Sequence, residues 1–287
     1  MSAAWTTLAV VGVALGAVVA LWLGWVLFTI LMRRLICGAT PRLWRASFAD
    51  VVAALEVIGW SFRARAAPRA PGQDDHGAAV RHDGIIVVFL HGTAADGSCM
   101  RRWIEATRDA GVESPMYAID HGNLLRGMPV HGARIAQVLD EVLDVADDAV
   151  PARLVFVAHS MGGVALRYAL AANERLRAAT LGVVTVATPH LGTGLARITP
   201  VGPLADLAWG APSLSTLPLL QALVPRVASF ASDVDVIVYP DETADAGGTH
   251  EVFRGIGHAA LLTDRGVAAR IAAAVKQMLS RGPARES

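Results

Sequence analysis

Residues 154–163, LVFVAHSMGG, constrain this chain more than any other ten. An apolar run ends in His159-Ser160-Met161-Gly162-Gly163 and passes into a helix-forming stretch. A strand that is apolar without alternation is buried on both faces, as in parallel sheets covered by helices. A serine at the apex of an abrupt strand-to-helix turn stands where a G-x-S-x-G nucleophile stands. Such a turn is tight, so the residues two before and two after the serine must be small. Here they are Ala158 and Gly162. Ala158 departs from the strict glycine pattern but meets the size requirement. The plainer reading of Ser160 is a helix N-cap.

The surrounding chain repeats the same alternation. Runs at 85–90, 115–120, 153–158, 181–188, 235–239 and 250–255 read as strands. Helical stretches lie near 100–110, at 129–148, from 160 to 172 and at 260–280. In 129–148, Ile135, Val138, Leu139, Val142 and Val145 share one face, and Asp140, Glu141, Asp144 and Asp148 point away. Strands alternating with helices imply an α/β fold with a doubly wound, mostly parallel sheet. Residues 191–226 interrupt the pattern. They hold five prolines among Leu204, Leu207, Trp209, Leu214, Leu217, Leu219 and Leu220, and are too long for an ordinary loop. We read them as a small cap over the C-terminal edge of the sheet.

A serine hydroxyl needs a base, and the base needs an acid to orient it and to stabilise its charged form. The corner resembles that of the α/β-hydrolases, and the resemblance implies the chain order serine, acid, histidine. Nine histidines are available. His258 lies in a Gly-flanked loop between the last strand and the last helix, within EVFRGIGHAALL, and fits the base. His250 lies at the start of that strand and faces the wrong way. Asp235 stands just before an apolar run in FASDVDVIVYPDETA and fits the acid better than Asp233 or Asp241. The developing oxyanion needs two backbone donors. Met161 N–H follows the nucleophile, and Thr93 N–H lies in the loop after the first strand, FLHGTAADG. In that loop Gly92 permits close approach and His91 anchors the turn by hydrogen bonding. His159 reads as a packing residue beside the corner, and His190 as a loop-shaping one.

The segments FLHGT, VAHSMGG, VATPHLGT, DVIV and GIGHAALL, in this order, resemble the α/β-hydrolase lipases and esterases, in particular bacterial triacylglycerol lipases. AHSMGG and GIGHAALL are similar to the small Bacillus-type lipases. TPHLGT resembles larger lipases and the inositol-deacylase group. The resemblance covers residues 84–280. It implies an α/β-hydrolase fold, Ser160, Asp235 and His258 as catalytic triad, Thr93 and Met161 as oxyanion hole, and a lipophilic ester as substrate. The same triad serves acyl transfer and thioester cleavage. A catalytically silent membrane scaffold would have lost a triad element, and each element is present in the sequence. We expect no metal and no cofactor, since no compact His/Asp/Cys cluster stands out.

The first 83 residues are outside that resemblance. Residues 8–32 form an apolar run without charge, closed by Arg33-Arg34. As a helix these 25 residues span about 37 Å, enough to cross a bilayer of about 30 Å. A signal peptide would carry a basic start, a shorter core and a small-residue cleavage site. We therefore expect residues 1–34 to be a transmembrane anchor, 35–83 a basic juxtamembrane segment and linker, and 84–287 the catalytic domain. Residues 50–62 are amphipathic, with Val51, Leu55, Ile58 and Phe62 at helical spacing, and read as an interfacial or packed helix. Seven Arg against Asp50 and Glu56 between residues 33 and 72 favour a cytoplasmic catalytic domain by the positive-inside rule, with a periplasmic one as the rival. Whole-chain composition agrees with one membrane-associated domain. Mean hydropathy is +0.45, and 54 % apolar with 17 % charged residues excludes disorder over most of the chain. Acidic and basic residues balance at 25 each, which argues against nucleic acid as a partner. Two cysteines, Cys37 and Cys99, exclude a disulfide framework.

Overall fold

A computed structural model describes residues 20, 23–38, 43–66, 84–93, 95–122, 126–144, 152–199 and 202–280. Six parallel strands form one sheet in the order β2-β1-β3-β4-β5-β6. They are β1 (Ile85–Leu90), β2 (Met116–Ile119), β3 (Arg153–His159), β4 (Thr180–Val186), β5 (Val227–Ser232) and β6 (Thr249–Phe253). The central strands are buried on both faces because their side chains feed two cores. Val87 and Phe89 of β1 and Val155 and Val157 of β3 enter one core. Ile86, Val88, Leu90, Leu154, Phe156 and Ala158 enter the other. This is the doubly wound arrangement expected from the continuous apolar runs.

Helices cover both faces. On the first lie α2 (Leu43–Ala66), α3 (Arg101–Asp109) and α11 (Arg265–Ser280), through Val57, Trp60, Trp103, Val267 and Ile271. On the second lie α4 (Met128–Asp144) and α5 (Met161–Ala172), through Ile135, Leu139, Leu166 and Leu170. A short helix absent from the sequence reading, α6 (Glu174–Ala179), follows α5, its N-terminus capped by the Asn173 side chain.

Two elements differ from the sequence reading. The fifth strand is VASFAS, 227–232, not DVIVY, 235–239. Two serines dilute its β-branched signal, although Ser229 and Ser232 are buried and hydrogen-bonded to the Thr249 and Ile256 carbonyls. In 235–239 two backbone donors are taken by one side chain: Asp235 Oδ1 accepts from Ile237 N at 2.7 Å and Val238 N at 2.8 Å. Val234, Val236 and Val238 are buried without joining the sheet. The closing helix is likewise two helices, α10 (Ala260–Thr263) and α11, parted at Asp264, whose carboxylate accepts from Val267 N.

The stretch 191–226 folds as short pieces: α7 (Gly194–Ile198), a 3-10 turn over Gly202–Leu207, α8 (Pro212–Ser215) and α9 (Leu220–Leu223). Ala196, Leu207 and Leu214 pack on Met161 and Val164 at the start of α5. Arg167 of α5, fully buried, ties the stretch down. It donates to the carbonyls of His190, Leu214, Leu217 and Pro218.

Residues 23–37 are helical (α1) and lead to α2, which is longer than the amphipathic stretch read from sequence. Of the expected membrane span, residues 8–19, 21 and 22 lie outside the described residues. Among the described residues no helix is long and apolar enough to cross a membrane. Residues 67–83 of the expected linker also lie outside them.

Because the four carbonyls that Arg167 serves would lose this donor, Arg167→Met is expected to cost about 3–5 kcal/mol. That corresponds to a fall of about 10 °C in Tm, measured by differential scanning calorimetry.

Candidate active site

Ser160 stands between β3 and α5 at φ 53°, ψ −128°. An L-residue in that region is strained by about 1–3 kcal/mol, which the packed strand and helix on either side must offset. The conformation aims Oγ out of the sheet's C-terminal edge and places the peptide after it at a helix N-terminus. Gly162 is required here for space, since a Cβ would run into the carbonyl of His91 and lie 2.9 Å from Leu90 O. Gly92 is required for the same reason from the other side, where a Cβ would sit 2.9 Å from Ser160 Cβ. The end of β1 and the β3–α5 corner are thus in direct contact. Thr93 Oγ1 lies 3.4 Å from Met161 Sδ, so the two residues expected to supply oxyanion donors are neighbours.

The structure brings Ser160, His258 and Asp235 into one hydrogen-bonded chain. His258 Nε2 lies 3.1 Å from Ser160 Oγ, and His258 Nδ1 lies 2.7 Å from Asp235 Oδ2. An ionised carboxylate accepts only, so Nδ1 carries the hydrogen and the neutral ring presents Nε2 as acceptor to the Ser160 hydroxyl. Asp235 is 1 % exposed, with its other oxygen held by Ile237 and Val238 N–H. It follows β5, and its loop crosses the strand ends. Asp233, the alternative acid, is used elsewhere: its Oδ1 accepts from Gly255 N at 2.7 Å. Burial lowers the His258 pKa, but the charge and hydrogen bond of Asp235 and the charge of Asp50 outweigh it, and the net shift is upward.

Among the described residues, other histidines near the sheet have packing or hydrogen-bonding roles. His159 is buried, edge-on to Trp103 at 5.8 Å and beside the His258 ring at 4.8 Å. Burial, with the charge of His258, holds it neutral, well below its ordinary pKa. His91 Nδ1–H donates to Gly92 O at 2.8 Å, closing the loop that carries Thr93. His190 Nε2 meets Thr185 Oγ1, and His250 meets Ser229 Oγ. Sequence reasoning missed His121. It stacks on His91 at 4.2 Å, and its Nε2 lies 2.9 Å from the His91 carbonyl. Its position directly after β2, at the same sheet edge as the other loops, was the available signal. Sequence reasoning also missed Arg33 and Asp50, which come from the N-terminal helices. Among the described residues no group of three or more His, Cys, Asp or Glu is placed to hold a metal ion.

This sheet, corner and hydrogen-bonded Ser–His–Asp arrangement define an α/β-hydrolase. A family model described as "Putative serine esterase (DUF676)" matches residues 82–207. Solved structures with the same fold include lipase B of Aspergillus fumigatus, at TM-score 0.58 and 16 % identity over 75 % of this chain. The chain spans 56 % of that lipase's length. The mature form of the lipase BlEst2 from Bacillus licheniformis matches at TM-score 0.55 and 17 % identity, over 70 % of this chain and 94 % of that one. No curated protein matches the chain in sequence.

Gly162→Ala is expected to force the corner away from β1. It should cost about 2 kcal/mol or more in stability, as overpacked sites do, read from urea unfolding midpoints.

Proposed function

We propose that this protein is a carboxylic-ester hydrolase that works through an acyl-Ser160 intermediate on a lipophilic ester. The observation that carries this reading is the continuous hydrogen-bonded chain Ser160–His258–Asp235 at the mouth of the sheet. Ser160 Oγ attacks the ester carbonyl while its proton passes to His258 Nε2, and Asp235 stabilises the imidazolium. The tetrahedral oxyanion is held by the backbone N–H groups of Met161 and Thr93. Protonation by His258 releases the alcohol, and water activated by the same ring frees the acid. Ala196, Leu207 and Leu214, packed against Met161, provide the apolar wall for the acyl chain.

We further propose that the chain is held at a membrane by residues 1–34, with the catalytic domain on the cytoplasmic side. Supporting this, Leu27, Leu31 and Leu35 of α1 and Trp44, Phe48, Val52, Leu55 and Ile58 of α2 are exposed. Leu27 and Leu31 belong to the uncharged apolar run of residues 8–32, the others lie beyond Arg33 and Arg34, and arginines flank both helices. Full-length chain is expected to stay in the membrane fraction through alkaline carbonate extraction. Recovery in the soluble fraction would reject the anchor.

Hydrolysis of p-nitrophenyl esters from acetate to palmitate tests the chemistry. Turnover is expected to rise with acyl length and to fall at least about ten-thousandfold in Ser160→Ala. Activity confined to short chains would reject the lipophilic substrate, and activity surviving Ser160→Ala would reject the mechanism. The base must be neutral to accept a proton, and the His258 pKa is raised above 6.5. The rate should therefore fall as pH drops through a midpoint above 6.5, measured as kcat/KM between pH 5 and 9.

A further inference from the structure

Two charged side chains from the N-terminal helices end at the loops that carry the acid and the base. Arg33, near the end of α1, is 2 % exposed. Its Nε donates to Asp235 O at 2.6 Å and its Nη2 to Asp233 O. The guanidinium therefore spans the turn that presents the Asp235 carboxylate. Apolar packing seals the contact: Ile30 of α1 and Leu43 and Ala46 of α2 surround Val234 and Val236 of the same turn. Asp50 of α2 grips the other loop. Its Oδ1 accepts from Ala260 N at 2.8 Å. Its carboxylate lies against Gly257, where a Cβ would collide with it. Gly257 and Ala260 bracket His258.

We propose that Arg33 and Asp50 are positioning residues of the catalytic site, Arg33 holding the loop of the acid and Asp50 the loop of the base. The N-terminal helices are then part of the catalytic apparatus, although the matched family region begins only at residue 82. This rests on the reading of Ser160, His258 and Asp235 as the triad. Asp50 also acts through charge. It lies close enough to His258 to raise the imidazole's pKa, and its own is pushed up to about 6 by burial, against the Ala260 hydrogen bond, with Asp235 adding repulsion. The ionisable groups facing His258 are Asp235, Asp50 and the ring of His159. Above pH 6 Asp50 is charged and favours the imidazolium that forms as Ser160 attacks.

A group whose folded-state pKa is raised contributes stability at low pH that is lost as pH rises through the folded value. Above pH 6 the Asp50 charge thus opposes folding while it assists His258. Asparagine keeps one oxygen to accept from Ala260 N, removes the charge and replaces the second oxygen by an NH2 donor.

The test uses full-length chain in detergent micelles. It follows the second-order rate at which an alkyl fluorophosphonate modifies Ser160, by intact mass, between pH 5 and 9. Asp50→Asn is expected to slow modification about tenfold at pH 8. Its acid limb should move to lower pH, and its Tm at pH 8 should rise. Arg33→Met is expected to slow modification about a hundredfold, with Arg33→Lys recovering part of the loss through one carbonyl contact. Should Arg33→Met fail to fold, Arg33→Lys and Asp50→Asn carry the test. Wild-type rates in both of these, with an unmoved acid limb in Asp50→Asn, would overturn the proposal while leaving the triad intact. If wild-type chain is unmodified, or is modified equally in Ser160→Ala, the triad reading falls and this proposal with it.

Discussion

The close approach of two backbones organises this molecule. The end of β1 passes against the β3–α5 corner so closely that neither Gly92 nor Gly162 can carry a side chain without displacing the other segment. The contact holds the Thr93 loop beside Met161 and keeps Ser160 in its left-handed conformation. Both strands are central, buried on two faces and paired to each other along their full length. The strain at Ser160 is thereby borne by two paired strands buried on both faces.

The chemistry around that corner depends on charge taken out of water. Asp235 is buried, and a buried polar group must be hydrogen-bonded. Two backbone N–H groups and the His258 ring satisfy it here. The same hydrogen bonds fix the tautomer of His258 and aim Nε2 at Ser160. A buried His159 kept neutral beside the imidazole packs the site without adding a competing charge. His91 and His121 serve the neighbouring loop in the same way, as hydrogen-bonding wedges rather than bases.

The N-terminal helices carry this further. Arg33 and Asp50 reach the site from a part of the chain that precedes the first strand. With the proposed anchor, Arg33 would stand at the end of the membrane span and on the carbonyls of the acid loop at once. Membrane attachment and active-site geometry would then share one side chain.

Much of this was legible in the sequence. The continuous apolar runs at 85–90 and 153–158, the small residues flanking Ser160 and the Gly-flanked His258 follow from local rules. Burial on both faces excludes polar residues, and a tight corner excludes large ones. VASFAS, 227–232, escaped notice because its buried serines are satisfied by neighbouring carbonyls that only the assembled sheet supplies. DVIVY imitated a strand because its apolar side chains are buried, while Asp235 takes two of the backbone donors a strand would need. The approach of Asp235 to His258, the contact of Gly92 with Ser160, and the reach of Arg33 and Asp50 into the site were matters of tertiary structure. Each joins residues that no periodicity relates, and their spacing exists only once the strands are ordered in the sheet and the N-terminal helices are laid against it. What the sequence determined by itself was the strand–corner–helix alternation and the identity of the serine, because these depend on side-chain size and burial within a few consecutive residues.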